Sequence, residues 1–260
     1  MVADELDGVT GVILAAGRGS RLLSLTDDRP KGLVKVDGRA LVEWQLDALR
    51  GGGVESLAIV TGYCQEDYDR FSVRTLHNAR WAETNMVASM LCALQSLDTT
   101  ILFSYSDILY DAVVVRKLLD SSADFAVAYN TEWLDCWTQR FDDPLSDAES
   151  FRIAADGRIL EIGQPASDVK EIEGQFMGLF KISATAAGWV REILAEEGDS
   201  ADTLDTTTLL NLMIAQGLPL TGIPVAGNWM EVDDQHDLNV AEGMLRSGEL
   251  VLPNTREVSS

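Results

Sequence analysis

Histidine and cysteine are scarce in this chain, and basic residues are outnumbered. Its 260 residues include 2 histidines, 3 cysteines and 20 lysines and arginines against 42 aspartates and glutamates. Cys64, Cys92 and Cys136 are scattered and odd in number, without the paired spacing of a zinc ribbon or a disulfide framework, so they read as reduced thiols. With only His77 and His236 beside them, the sequence argues against a zinc site. A net charge of −22 argues against a nucleic-acid polymer as partner, because phosphate backbones require a basic face. No apolar run approaches the roughly 20 residues of a membrane span, and a membrane partner is not expected. The N-terminal "MVADELDG" is acidic and lacks the basic-then-apolar pattern of a signal peptide, so the expected setting is the cytoplasm.

The few positive charges are not spread evenly. Residues 18–39 carry Arg18, Arg21, Arg29, Lys31, Lys35 and Arg39 against Asp27, Asp28 and Asp37, a local balance of +3 that leaves −25 on the rest. A basic island in an acidic protein suits an anion smaller than a polymer. The bland alternative is a chance cluster of surface charge.

Apolar extended runs alternate with amphipathic segments through the first half. "GVTGVILAAG" is a strand ending in a glycine loop, and Leu41, Trp44, Leu46 and Leu49 recur at helical spacing before three glycines. "VESLAIVTGY", "SVRTLHN" and "TTILFSYSD" read as strands, with a helix over 84–97. This order predicts an α/β fold: a mostly parallel, Rossmann-like sheet with helices on both faces. From about residue 125 come "FAVAYN", a hairpin turning at Asp156-Gly157, and "GQFMGLFKIS", a strand returning to the main sheet. Two helices, a strand-rich "LTGIPVAGNWMEVDD" and a last helix near 234–247 follow. The expectation is one domain over 1–250, with a small insertion about 130–177 shaping a pocket and a loose tail at 251–260.

The stretch "LAAGRGSRLLSLTDDRPKGL" (14–33) resembles a phosphate cradle but fits neither familiar pattern. A dinucleotide fingerprint would need glycine where Leu22 stands, and a Walker loop would need Gly-Lys-Ser/Thr. Even so, Leu14, Ala15 and Ala16 close a strand that runs into Gly17, Gly19 and Ser20, and this nucleotide-binding candidate set can turn backbone N–H groups toward an anion. Arg21 and Lys31 add cationic charge, and Pro30 stiffens the return so that Lys31 is aimed.

The run "ILAAGRGSRL…RPKGLVKVDGRALVEWQLDAL" resembles the N-terminal signature of nucleotidyltransferases that join a nucleoside triphosphate to a small phosphorylated molecule. Gly32 is a mild departure from the usual Pro-Lys-Ala or Pro-Lys-Pro. "HNARWAETNMVASM", "EWLDCWTQRFDDPLSDAESF" and "EIEGQFMGLFK" are similar to bacterial choline-phosphate cytidylyltransferases and the phosphonate cytidylyltransferases. The resemblance implies CTP as donor, Lys31 and Arg21 as catalytic cations on its phosphates, and Mg²⁺ as cofactor. It pairs a strand-end aspartate, Asp107, with a late acidic segment, Glu231 and Asp233, as metal ligands. Read physically, Asp107 has two roles open to it, metal ligand or helix cap. Glu231 and Asp233, two apart in a strand, project to one face, whereas Asp234 suits the cap of the last helix.

Asn85 and Ser89 lie four apart on a helix and share a face, suited either to the base of the nucleotide or to structure alone. Trp133 and Trp137 share a spacing that fits an aromatic face for a quaternary ammonium, flanked by Glu132 and Asp135, or equally packed core. Arg140 fits a phosphonate or phosphate group, and Gln175 is a further polar contact. The resulting expectation is CMP transfer from CTP to a small phosphorus-containing acceptor with release of pyrophosphate; a homodimer is compatible with it. Two alternatives stand beside it: a sugar-1-phosphate nucleotidyltransferase using UTP or dTTP, and an inactive nucleotide-binding sensor.

Overall fold

A computed structural model of the protein describes residues 8–253, apart from the side chains of Ser20, Leu23 and Ser24. Strand β1 (Val9–Ala15) shows why its sequence reads as one apolar run. Ile13 and Ala15 enter one hydrophobic layer and Val12 and Leu14 the other, because a strand alternates its side chains and this one is covered on both faces. A 3₁₀ stretch (Ser20–Thr26) leads to the ribbon of β2 (Lys35–Val36) and β3 (Arg39–Ala40). Asp37 and Gly38 turn it with φ of 50° and 80°, the left-handed pair that a two-residue hairpin loop favours.

Helix α1 (Leu41–Gly51) comes next, then β4 (Ser56–Thr61), β5 (Arg74–His77) and α2 (Met86–Ser96). Asn85 caps α2 by accepting from the Met86 N–H at 2.8 Å, so the helix proper starts two residues later than the sequence suggested. β6 (Thr100–Tyr105), β7 (Ile108–Tyr110), α3 (Ala112–Asp120), β8 (Phe125–Asn130) and α4 (Trp133–Arg140) follow. β9 (Glu149–Ile153) and β10 (Ile159–Pro165) form the expected hairpin, with Gly157 at φ 86° in its turn. β11 (Gln175–Ile182), α5 (Ala184–Glu197), α6 (Thr206–Ala215), β12 (Leu220–Val225), β13 (Trp229–Glu231) and α7 (Gln235–Ser247) complete the order.

The main sheet has seven strands in the order β12-β8-β11-β6-β1-β4-β5. Its pairings are parallel except at β11, which runs antiparallel to both β6 and β8. Residues of α1, α3, α4 and α7 fill one hydrophobic layer and those of α2, α5 and α6 the other. The chain leaves β1 toward β4 on one side and returns to β6 on the other. A crevice therefore opens beyond the carboxyl ends of β1 and β6, the switch point where α/β sheets bind ligands. Outside this sheet, β13 pairs antiparallel with β7, with Glu231 opposite Ile108.

No helix among the described residues is long and apolar enough to cross a membrane. At the C-terminal end, Leu252 is buried and the Val251 N–H donates to Asn228 Oδ1 at 2.6 Å. The rest of the tail, 254–260, lies outside the described residues.

Candidate active site

Two cavities open at the crevice. The smaller, about 220 Å³, is lined by Leu14, Ala16, Gly17 and Gly19 on one side and by Thr84, Asn85 and Ser89 on the other. Most of the residues expected to cradle phosphate thus face the two expected for the base. Ala15 is packed in the core, and the side chain of Ser20 lies outside what is described. Gly19 has φ 76°, and a Cβ there would sit 2.5 Å from the Lys31 Cβ. The glycine therefore serves two ends: it allows the left-handed turn and lets the Lys31 stem pass against the backbone. Pro30, at φ −69°, opens the short 3₁₀ turn of Lys31–Leu33, which carries the lysine back under the loop. Gly32 is also tight, since a Cβ would meet the Tyr68 hydroxyl and Val42 at 3.0 Å.

Asn85 is half-committed as the α2 cap, and its Nδ2 donates to the Thr203 carbonyl at 3.3 Å. Ser89 Oγ accepts from Asn78 Nδ2 at 3.1 Å. Trp81, which sequence reasoning passed over, also lines this cavity and sits 5.4 Å from the Tyr63 ring. Its only signal was its place inside "HNARWAETN".

Between the two cavities lie three carboxylates. Oxygens of Asp107, Glu231 and Asp233 fall within 4.8 Å of one another. Residues more than 120 positions apart meet because β13 pairs with β7 directly after Asp107, and because the Val232 N–H donates to the Asp107 carbonyl at 2.8 Å. The cap role for Asp107 does not hold: α3 is preceded by Asp111, and Asp107 leads into β7 instead. Asp234 does cap α7, accepting from the Asp237 N–H at 2.9 Å.

Cations surround this triad. Lys31 Nζ donates to Asp107 Oδ2 at 2.7 Å and to Asp233 Oδ1, and Arg21 Nη1 lies 2.9 Å from Asp233 Oδ2. Burial works against the Lys31 charge, yet Asp107 and Asp233 hold its pKa above the ordinary lysine range. Burial likewise opposes ionisation of Asp233, but Lys31, Arg21 and Arg140 keep its carboxyl below the usual range. Glu231 goes the other way. Burial, with the Asp233 and Asp107 carboxylates beside it, pushes its carboxyl up to about 8.

The triad suits a hard divalent cation on two counts. Three carboxylates are the oxygen donor set such ions take. Asp107 Oδ1 is buried with no hydrogen-bond partner among the described residues, a costly state for a polar oxygen that a cation would relieve.

The larger cavity, about 350 Å³, lies on the far side of the triad, with Arg21, Glu231 and Asp233 at its rim. Its wall mixes rings and acids: Tyr105, Trp137, Phe176 and Trp229 with Asp147, Glu149 and Asp205. Burial, reinforced by Asp205 and Asp147, raises the Glu149 carboxyl above its usual range, and burial also raises Asp147. Gln175 lines the cavity as expected, its Nε2 donating to the Gly174 carbonyl at 3.1 Å.

Two expectations for this cavity need correction. Trp133 points into the core and meets Trp137 edge-on at 5.9 Å; the ring that pairs with Trp137 at the cavity is Trp229, stacked at 5.7 Å and 10°. Four-residue helical spacing put both tryptophans on one side of α4, and both are buried in the same hydrophobic layer; only Trp137 also reaches the cavity wall. Arg140 is not presented to an acceptor at all. Its side chain is fully buried, forked onto Asp237 with both contacts at 2.9 Å and 3.1 Å from Glu231. Asp147, Glu149 and Asp205 were missed because nothing local separates three acids from 42.

A glycine loop, an aimed lysine and a strand-end acidic cluster dividing two cavities define a nucleotidyltransferase. The chain belongs to the MobA-like NTP transferase domain family, which matches residues 11–169. It is 31% identical over 255 residues to the CTP:phosphoglutamine cytidylyltransferase of Campylobacter jejuni, covering 89% of this chain and 98% of that one. It is 29% identical to the choline-phosphate cytidylyltransferase of Streptococcus pneumoniae, over 57% of this chain and 66% of that one. Among solved structures, the inositol-1-phosphate CTP transferase of T. maritima superposes with a TM-score of 0.73 at 20% identity, covering 90% and 94% of the two chains. That likeness is one of fold.

Proposed function

We propose that the protein transfers CMP from CTP to a small phosphorus acid whose tail bears an ammonium group, releasing pyrophosphate. One observation carries the reading: the acidic triad and Lys31 stand between a glycine-lined cavity and an acidic, aromatic one. The cytidylyltransferase relatives favour CTP as donor. The wall of the larger cavity favours the tail, since rings and carboxylates together attract a cation. Phosphocholine and 2-aminoethylphosphonate carry such a charge, as does phosphoglutamine, the acceptor in the name of the C. jejuni relative.

In this reading an oxygen of the acceptor's phosphate or phosphonate attacks the α-phosphorus of CTP, and the bond to pyrophosphate breaks on the opposite side. The nucleophile is already an anion near neutral pH, so no general base is needed, and neither histidine lines the two cavities. The protein's task is to hold two anions in line and offset their repulsion. The Gly17–Gly19 loop receives the triphosphate, Lys31 and Arg21 supply fixed positive charge, and the larger cavity orients the acceptor. Asp107, Glu231 and Asp233 would hold Mg²⁺, which when bound offsets the triphosphate's charge.

The test is pyrophosphate release with CTP, UTP or dTTP against phosphocholine, 2-aminoethylphosphonate, phosphoglutamine, 2-hydroxyethylphosphonate and glucose-1-phosphate, with and without Mg²⁺. Mg²⁺-dependent release with CTP and an ammonium-bearing acceptor is expected. Release only with glucose-1-phosphate and UTP or dTTP would move the protein to the sugar-phosphate branch. CTP binding without release from any acceptor would favour a sensor.

A further inference from the structure

Arg140 ends α4, inside the segment expected to shape the acceptor pocket, yet its charge is directed at the back of the acidic triad. Nε and Nη2 each lie 2.9 Å from an oxygen of Asp237, while Nη1 donates to Glu231 Oε2 at 3.1 Å and Nη2 lies 3.8 Å from Asp233 Oδ2. The guanidinium is 5.1 Å from the centre of the Trp137 ring and 4.9 Å from that of Phe141. Asp237 closes the arrangement: its Oδ2 also accepts the backbone N–H of Asp233 at 2.9 Å.

We infer that Arg140 is a positioning residue for nucleotidyl transfer, fixing Glu231 and Asp233 so that the triad keeps its geometry for a divalent cation. The inference rests on the cation reading of that triad. A carboxylate pinned through one oxygen presents the other in a set direction. Arg140 does this to Glu231 directly, and to Asp233 through Asp237, which holds the Asp233 backbone. The requirement is for a planar fork with several donors, not for charge alone, which is why arginine and not lysine suits the place. A buried cation among acids is a poor stability device, since desolvation offsets most of the attraction. Supporting groups that orient metal ligands, by contrast, commonly change metal affinity strongly when lost.

The decisive variant is Arg140→Lys, which keeps the charge and removes the fork. Mn²⁺ binding to nucleotide-free protein, read by electron paramagnetic resonance, is expected to weaken by about 10- to 100-fold. The divalent concentration for half-maximal turnover should rise, while the KM for CTP at saturating divalent ion stays put. If Arg140 only stapled α4 to α7, or only supplied charge, the lysine variant would bind Mn²⁺ as the wild type does or more tightly, and the inference would fall.

Asp237→Asn serves as the second variant should Arg140→Lys not fold. It should weaken Mn²⁺ in the same direction, and unchanged affinity there would count against the inference. Asp107→Asn separates the two levels of the argument. Were wild-type Mn²⁺ binding absent, or indifferent to Asp107→Asn, the cation reading would fail and take the role of Arg140 with it. Were Mn²⁺ binding sensitive to Asp107→Asn yet indifferent to Arg140→Lys, the positioning role alone would fail.

Discussion

Replacing Lys31 with methionine should abolish most turnover and yet tighten divalent-cation binding to the nucleotide-free protein. The reason is where the ammonium sits. Lys31 Nζ donates to both Asp107 and Asp233, two of the three carboxylates that would hold the cation. An incoming ion must therefore meet a lysine already neutralising its ligands. Leaving the ammonium in place costs about 4 kcal/mol per unit charge at 4 Å with an effective dielectric near 20. Swinging it out forfeits charge-assisted hydrogen bonds worth about 1.5–3 kcal/mol each, partly recovered by hydration.

Methionine, similar in length and uncharged, removes that competition. With one such bond's worth of free energy regained, Mn²⁺ affinity should improve by about 10- to 100-fold. The assay is a Mn²⁺ titration of wild type and Lys31→Met by electron paramagnetic resonance, without nucleotide, alongside single-turnover CMP transfer. Unchanged or weaker Mn²⁺ binding in a folded variant would refute the competition. Near-normal turnover would remove Lys31 from the transfer step. The same logic predicts that CTP, by drawing Lys31 toward its phosphates, strengthens Mn²⁺ binding to the wild type.

Two further outcomes are expected. Glu231, pushed up to about 8 by burial and by Asp233 and Asp107, is favoured in its protonated form in the cation-free fold. Its contribution to stability is therefore complete below the ordinary carboxyl range and lost as pH rises through about 8. Mn²⁺ binding should accordingly release a proton and tighten from about pH 6 to pH 8; calorimetry in two buffers of different ionisation enthalpy would show no proton exchange if this is wrong. At the larger cavity, Asp147→Asn and Glu149→Gln should each raise the KM for an ammonium-bearing acceptor by about tenfold, the equivalent of one charge-assisted contact. Transfer to 2-hydroxyethylphosphonate should be spared; equal loss with both acceptors would mean that the acids shape the wall without reading charge.

Much of the fold was legible because its signals are local. The alternation in "GVILAAG" and the helical spacing from Leu41 to Leu49 depend only on which faces are covered. The hairpin at Asp156-Gly157 depends on one left-handed residue. The glycine loop is local too: Gly19 and Lys31 are 12 residues apart, and Pro30 fixes the return between them. Asp107 could be singled out because strand ends at a switch point are where ligands bind.

What the sequence could not settle was which distant groups share a space. Trp133 and Trp137 have the same spacing whether they line a pocket or fill a core; both are buried in the core, and only Trp137 also lines the pocket. Arg140 carries a charge that suits a phosphorus group equally well in one dimension; in three, Asp237 and Glu231 lie within reach and claim it. Asp147, Glu149 and Asp205 are indistinguishable from the other acids until β9, the segment before it and the start of α6 bring them to one wall.

The sequence by itself therefore determined the layered α/β fold, the glycine loop that lines the smaller cavity and the residue types gathered around it. The resemblance had already paired Asp107 with Glu231 and Asp233, but only the tertiary structure supplied the physical means, because pairing of β13 with β7 brings carboxylates more than 120 positions apart to one place. The tertiary structure also decided that Arg140 stands behind them, because the direction of a long side chain is set by the charges and rings that packing places around it.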